Sequence, residues 1–419
     1  MRKMRIHKGK KIERYDFTQK PKRSFLIPLA KLVVFFLCIR RKITITHKSG
    51  KPTRPRLVLG NHGAFNDFFV LYKAMPTFKM NYIVTLDGFN DFGEFLMRGV
   101  GGIPKRKFAS DLHLMRNMKH SLYKFKNILV MYPEARYSLD GTTSYLPDSL
   151  GKLVKYLNVP VSVIIANGNY VSDPQWNKYK QNKMPMEGIT VEIVSEEELP
   201  TITVDEINKR IKDNLVYDDW KWLKESGNKL TYPERATNLN AILYQCPHCK
   251  KEFEMEGKGT ILKCNACSKE WEMLEDGSLK ALQGETEFSH IPDWFKWQKQ
   301  NVHDEVYSGK YYMELDCDVY TLPSCKGFVK HKQGKFIQNC EKTVLDVNLY
   351  GEDAVYEIPG ATLESVHVEY QYQQAGDMID VPIKNDSVWL HPINRRDVIT
   401  KVSLATEEIR DLAKSKIRK

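Results

Sequence analysis

Residues 56–67, reading R-L-V-L-G-N-H-G-A-F-N-D, carry the first side chains whose types and spacing could do chemistry: His62, with Asp67 five positions on. A carboxylate on one ring nitrogen fixes the tautomer of an imidazole and leaves the other nitrogen to take a proton from a hydroxyl. Five residues is a poor spacing within one helix, where i and i+4 share a face. The spacing therefore predicts His62 on a turn and Asp67 in the first turn of the helix that follows. With 11 histidines in the chain, such a pair recurs by chance, and its neighbours must decide whether it is functional. A second set is more specific. Cys246 and Cys249 in C-P-H-C, with Cys264 and Cys267 in C-N-A-C, make two C-x-x-C knuckles about fifteen residues apart. Four thiolates at that spacing fit a closed tetrahedral site, hence a structural Zn2+, with disulfide pairing as the alternative.

The elements that must position His62 follow a repeating plan. The apolar run at 57–59, broken by Gly60, reads as a strand ending on the histidine, with a helix over 68–73 behind it. A strand at 82–86 precedes R-G-V-G-G-I-P-K-R-K at 98–107, where glycines would let backbone N–H groups approach a phosphate that Lys105, Arg106 and Lys107 neutralise. A solvated basic loop is the plain alternative. Residues 110–124 read as an amphipathic helix, with Leu112, Met115, Met118 and Leu122 at helical spacing. The run I-L-V-M-Y-P-E-A-R-Y-S at 128–138 is a buried-strand pattern ending in a polar loop that carries Glu134, Arg136 and Ser138. Open α/β sheets place ligands at that carboxyl end, although a Glu134–Arg136 salt bridge would explain the pair structurally. A helix over 150–157, strands at 158–165 and 187–194, and a helix over 205–224 with Ile207, Ile211 and Leu215 on one stripe complete the series. Trp220 and Trp222 in that last helix suit either packing or a membrane interface. Strands tipped by polar loops and separated by helices predict an α/β sheet covered on at least one face.

Four stretches in this order resemble the glycerolipid acyltransferase family, whose best-known members are the 1-acylglycerol-3-phosphate acyltransferases. Asn61-His62 with Asp67 is similar to the first motif, Gly102-Ile103-Pro104 with Lys107 to the second, Tyr132-Pro133-Glu134 with Ser138 to the third, and Val159-Pro160-Val161 to the fourth. The resemblance spans residues 56–166. It departs from the family pattern at Ala64, Lys107 and Val163, and in the third motif, where Ala135-Arg136-Tyr137 replaces Gly-Thr-Arg. It implies an α/β acyltransferase domain, a mixed sheet flanked by helices. It further implies direct acyl transfer, in phospholipid biosynthesis, from acyl-CoA or acyl carrier protein to the hydroxyl of a phosphorylated glycerol acceptor such as lysophosphatidate. His62 would be the general base and Asp67 its orienter, with Lys105, Arg106, Lys107, Glu134, Arg136 and Ser138 as substrate-binding residues. No G-x-S-x-G nucleophile elbow occurs. Acylation of another alcohol or an amine, and a catalytically inactive membrane-docked scaffold, are the alternative readings.

The net charge of +12 is uneven. Before Phe25 stand Arg2, Lys3, Arg5, Lys8, Lys10, Lys11, Arg14, Lys20, Lys22 and Arg23, against Glu13 and Asp16. Such an arm expects an anionic partner, nucleic acid or phospholipid headgroups. Residues 25–39 are apolar apart from Lys31 and are closed by Arg40, Arg41 and Lys42, which favours an anionic membrane surface. A helix from Pro28 to Ile39 would be about 18 Å long, short of the roughly 30 Å hydrocarbon core, so an interfacial membrane helix is expected. A buried core helix and a signal peptide compete, although residues 39–42 offer no small-residue cleavage site. Cys38, Cys317, Cys325 and Cys340 show no framework spacing, which favours a reducing compartment. The expected location is cytoplasmic, peripheral or monotopic on the inner face of the cell membrane.

The cysteine segment, with Lys250, Lys251 and Trp271, resembles a small zinc ribbon. Glu252, Glu254, Glu256, Glu270, Glu272, Glu275 and Asp276 beside its lysines argue against nucleic acid as partner, leaving a docking or spacer role. From 293 onward short β-type runs recur at 310–315, 327–331, 335–337, 354–358, 365–372 and 387–390. One helix closes the chain, with Glu407 and Glu408 early and Lys414, Lys416, Arg418 and Lys419 late. The pattern is similar to the pleckstrin-homology-like superfold, which by itself specifies no ligand. The expected division is a basic arm and membrane-interface helix over 1–45, the acyltransferase domain over 46–240, the zinc ribbon over 241–285 and the β-rich domain over 293–419.

Overall fold

The computed structural model describes residues 4–7, 12–39, 41–107, 112–181, 183–384 and 386–417. Arg2, Lys3, Lys8, Lys10, Lys11, Arg40, Ser110, Arg418 and Lys419 lie outside them. The first unit runs α1 (Ile27–Ile39), β1 (Ile43–His47), β2 (Arg56–Gly60), α2 (Asp67–Ala74), β3 (Met80–Thr85), α3 (Leu86–Phe92), α4 (Glu94–Gly99), β4 (Gly102–Lys105), α5 (Leu112–Lys119), β5 (Ile128–Met131), α6 (Ser149–Leu157), β6 (Val161–Asn167), α7 (Asn169–Ser172), β7 (Met186–Val194), α8 (Val204–Asn214) and α9 (Asp219–Glu225). The seven strands make one sheet in the order β1-β7-β6-β2-β5-β3-β4. Each neighbouring pair is parallel except β6 and β7. The sheet is therefore mixed, with helices on both faces.

Alternation along β2 shows how both faces are covered. Leu57 and Leu59 join a cluster with Met118, Leu150, Val154, Ile207 and Ile211 from α5, α6 and α8. Val58 points the other way, to Ile27, Val34, Phe69 and Val70 of α1 and α2. Strands β2 and β5 are buried along their whole length, as expected of central strands in a covered sheet.

The structure corrects several expectations. The boundary at 45 cuts β1, which pairs with β7 and belongs to the sheet. The helix expected over 205–224 is two helices. Thr203 caps α8 by accepting from Glu206 N–H, and Asp218 caps α9 by accepting from Lys221 N–H at 2.9 Å, so the chain turns between them. Trp220 is buried and donates to the Asp140 carbonyl at 2.7 Å, while Trp222 donates to Glu187 at 3.0 Å. Packing, not a membrane interface, accounts for both. The glycine-rich turn is no phosphate cradle. Gly101 has φ +96°, and a Cβ there would sit 2.5 Å from the Met80 carbonyl, so its glycine serves close backbone packing.

The described parts of the basic arm pack on the rest of the chain. Met4 N–H donates to the Gln373 carbonyl at 3.1 Å, and Tyr15 N–H to the Pro323 carbonyl at 2.7 Å. The Tyr15 hydroxyl lies between Glu94 and Arg98. Helix α1 has 13 residues, about 20 Å. No helix among the described residues is long and apolar enough to cross a membrane.

The ribbon follows as β8 (Met255–Lys258), β9 (Ile261–Cys264), β10 (Glu270–Met273) and β11 (Leu279–Ala281), an antiparallel sheet in the order β11-β10-β9-β8. Helix α10 (Ile291–Tyr307) comes next, where only β-type runs are expected from the sequence. The last region comprises β12 (Tyr312–Thr321), β13 (Val329–Lys330), β14 (Gly334–Asn339), β15 (Lys342–Leu349), β16 (Glu352–Pro359), β17 (His367–Glu369), β18 (Met378–Ile383), β19 (Asp386–Pro392) and α11 (Ile399–Ile417). Its sheet runs β16-β15-β14-β12-β19-β18-β17, with β13 on β12. The four-strand and three-strand meanders meet where β12 pairs with both β14 and β19. Helix α11 starts eight residues before Glu407, so Glu407 and Glu408 lie inside it rather than in its first turn.

Candidate active site

His62 stands where β2 ends, and Asp67 opens α2. Their spacing closes as expected: His62 Nδ1 lies 2.9 Å from Asp67 Oδ2. The same oxygen accepts from the N–H groups of Gly63 and Ala64 at 2.9 and 3.2 Å. The other, Oδ1, accepts from Asn169 Nδ2 at 2.7 Å. An ionised carboxylate only accepts, so Nδ1 carries the proton and Nε2 is the basic nitrogen. The carboxylate is almost wholly buried, while the imidazole keeps 23% of its surface exposed.

Glu134 and Ser138 act on the His62 backbone. Glu134 is buried and accepts from His62 N–H at 3.3 Å, Ser144 N–H at 3.0 Å and the Tyr217 hydroxyl at 3.1 Å. Burial pushes its carboxyl above the ordinary value. Ser138 N–H donates to the His62 carbonyl at 2.7 Å, and Ser138 Oγ donates to the Thr142 carbonyl at 2.7 Å. Both clamp the loop that carries the histidine. No Glu134–Arg136 bridge forms between these neighbours; each has other partners.

Of the cations expected at the acceptor phosphate, Arg106, Lys107 and Arg136 face carboxylates, from the C-terminal region and, for Lys107, also from α3. Arg106 donates to Asp386 at 3.1 Å and to the Leu322 carbonyl at 3.2 Å. Lys107 is buried, with Asp87 at 3.0 Å and Glu369 at 3.6 Å. Burial would lower its ammonium, yet Asp87, Glu369 and Asp380 hold it above the ordinary value. Arg136 is buried, pairs with Glu407 and donates to Ser365 and Ser403 at 3.0 and 2.6 Å. Burial alone would raise Glu407, but Arg136 and Lys299 outweigh it and hold its carboxyl at about 2. Lys105 is half-buried beside a cleft of about 10 Å³ that Arg106, Lys107, Asp380, Ser387 and Trp389 also line.

Four residues escape sequence reasoning. The rings of Tyr132 and Tyr137 pack on the imidazole, with centroids 4.1 and 4.2 Å away. Burial holds both phenols well above their ordinary range, so both are neutral. Asn169 fixes Asp67, and Asp219 fixes Asn169's own segment by accepting from the N–H groups of Gly168 and Val171 at 2.7 and 3.2 Å. Burial pushes the Asp219 carboxyl up to about 7. Tyr132 and Tyr137 flank Glu134 in sequence, which is a usable signal; nothing local marks Asn169 or Asp219.

The first unit also exposes apolar side chains, Phe65 three residues after the histidine among them. Phe65 stacks on Phe92 at 5.2 Å, and Phe25 meets Phe95 edge-on at 6.0 Å. On α1, Leu29, Leu32, Val33, Phe35 and Phe36 are each about half exposed or more. Lys31 lies along this helix with its Nζ donating to the Met75 carbonyl at 2.6 Å.

The four ribbon cysteines converge, each offering a sulfur within 4.8 Å of the others. Cys246 and Cys267 sulfurs are 3.8 Å apart, and those of Cys249 and Cys264 3.7 Å. A tetrahedron with metal–sulfur bonds of 2.3 Å has edges of roughly 3.8 Å, whereas a disulfide would need about 2.05 Å. The donor set thus fits a metal ion and excludes the disulfide alternative. In each knuckle the residue after the second cysteine, Lys250 or Ser268, has positive φ and returns its N–H to the first cysteine's carbonyl at 3.0 or 2.8 Å.

No protein-family model matches the chain, and no curated protein matches its sequence. Among solved structures, it is similar to the 1-acyl-sn-glycerophosphate (LPA) acyltransferase PlsC from Thermotoga maritima, at 14% identity and a TM-score of 0.34, over 45% of this chain and 75% of that one.

Proposed function

We propose that this protein transfers an acyl group from a thioester donor, acyl-CoA or acyl carrier protein, to the hydroxyl of a membrane-borne acceptor. The observation that carries the reading is the His62–Asp67 pair, with its ring partly exposed and Phe65 exposed three residues on. Nε2 takes the hydroxyl proton as the oxygen attacks the thioester carbonyl; the new C–O bond forms, the C–S bond breaks, and the proton passes to the departing thiolate. Asp67 holds the ring and stabilises the imidazolium. The exposed apolar side of α1 rests in a lipid interface, flanked by Arg41 and Lys42. The four thiolates hold a structural Zn2+. The C-terminal four-plus-three meander with its closing helix is read as pleckstrin-homology-like. The phosphorylated glycerol acceptor implied by the motif order is not part of this reading, because Arg106, Lys107 and Arg136 already face carboxylates.

The test is acyl transfer by purified protein from labelled donors to a panel of lipid alcohols. His62→Ala should lower turnover by at least ~10²-fold with the fold intact, as expected of a general base. Near-normal turnover in that variant would remove the mechanism.

A further inference from the structure

We infer that the acceptor carries no phosphate monoester: the substrate class is a neutral lipid alcohol, selected by carboxylates that occupy Arg106, Lys107 and Arg136. The inference rests on the acyl-transfer reading. Three observations carry it. Arg106 and Arg136 each have a buried carboxylate partner from the C-terminal region, Asp386 and Glu407, while Lys107 lies between Asp87 of α3 at 3.0 Å and Glu369 of β17 at 3.6 Å. The cleft beside Lys105, Arg106 and Lys107 measures about 10 Å³, room for one water and none for a phosphate. Asp87 and Glu369 also lie within electrostatic reach of Tyr137, which packs on the imidazole, so a phosphate dianion bound near His62 would meet like charge.

These carboxylates are not a detachable lid. Glu407 and Ser403 sit in α11, whose residues 399–410 are all buried. One apolar cluster joins Tyr170 and Trp220 of the first unit to Val402 and Ile409 of α11. Another joins Leu86 and Phe89 to Leu322 and Trp389. Freeing the cations by undocking would expose both clusters and strand buried charges, which is why exclusion of phosphate is favoured over autoinhibition. The alcohol reacts with acyl-CoA as above: its oxygen gains the acyl group, and coenzyme A leaves as the thiol carrying the transferred proton.

The experiment compares a monoacylglycerol with lysophosphatidate as acceptors, using full-length protein, labelled acyl-CoA and neutral phosphatidylcholine vesicles, in wild type and the double variant Asp87→Asn with Glu369→Gln. The monoacylglycerol should be preferred at least tenfold in kcat/KM, and Asp87→Asn with Glu369→Gln should narrow that ratio severalfold by releasing Lys107 from both its carboxylates. Preference for lysophosphatidate in wild type would overturn the inference and leave acyl transfer standing. An unchanged ratio in a folded double variant would overturn the role of the carboxylates. Transfer to neither acceptor would overturn the inference together with the reading it rests on.

Discussion

At the scale of single residues, Asp67 carries the most connections, and its charge can be separated from its structure. Its two oxygens receive His62, Gly63, Ala64 and Asn169. Asp67→Asn keeps one oxygen for the first three and turns an amide N–H toward Asn169. Asn169 Oδ1 is buried and has no hydrogen-bond partner, so its amide can rotate to accept that N–H. The fold should therefore lose only about 1–2 kcal/mol. Turnover should fall by roughly 10²- to 10⁴-fold, because no negative charge then faces the imidazolium. Thermal melting and turnover on the same preparation check this; a melting loss large enough to explain the lost turnover would reduce Asp67 to a structural group.

At the scale of elements, α1 makes the clearest forecast. One side of the helix, with Ile27 and Val34, belongs to the core, while Leu32 and Phe36 remain 52% and 61% exposed. Burying the exposed half of each in lipid is worth about 1–1.5 kcal/mol. Leu32→Glu with Phe36→Glu should lower co-sedimentation with anionic vesicles by at least ~10-fold and leave the melting temperature nearly unchanged. Undiminished vesicle binding would remove α1 as the contact. The same elements show what sequence can and cannot disclose. Strands β2, β5 and β6 are legible because each is an apolar run bounded by Gly60, Pro133 or Pro160. Helix α10 is hidden because its buried stripe includes Gln298, a polar residue whose amide is satisfied by Gln245 N–H and the Ile242 carbonyl. Strand β15 is masked by Asp346 and Asn348 within its pattern. The His62–Asp67 pair is legible because both partners are local. The pairing of Arg136 with Glu407 is not, since 271 residues separate them and the fold alone brings them together.

At the scale of the whole molecule, the ribbon is a keystone rather than the spacer its acidic composition suggests. Met255, Leu262, Trp271 and Met273 lie in the same apolar cluster as Trp220 of the first unit and Val402 of α11. Trp271 meets Trp294 of α10 at 5.0 Å, Trp294 donates to the Gln245 carbonyl at 2.9 Å, and Lys401 of α11 donates to Glu252 at 2.7 Å. Loss of the metal would set four buried or half-buried thiols loose at the centre of this cluster. Burial pushes the Cys246 thiol well above its ordinary value, so without a cation the thiolate form is disfavoured and the knuckles lose their common ligand. A zinc ion held as proposed would contribute on the order of 10 kcal/mol. Stripping it with a chelator, or Cys264→Ser, should lower the melting temperature by roughly 10 °C or more. The effect should not stop at the ribbon. Because α11 presents Glu407 and Ser403 to Arg136, one residue from the Tyr137 ring on His62, loosening the cluster should reduce transfer activity in step with stability. Zinc, and not magnesium, should restore both, since a four-sulfur site has no oxygen ligands for a hard cation. If the ribbon were a spacer, chelation would melt it in a separate early transition with transfer untouched, and calorimetry alongside the acyl-transfer assay tells the two apart.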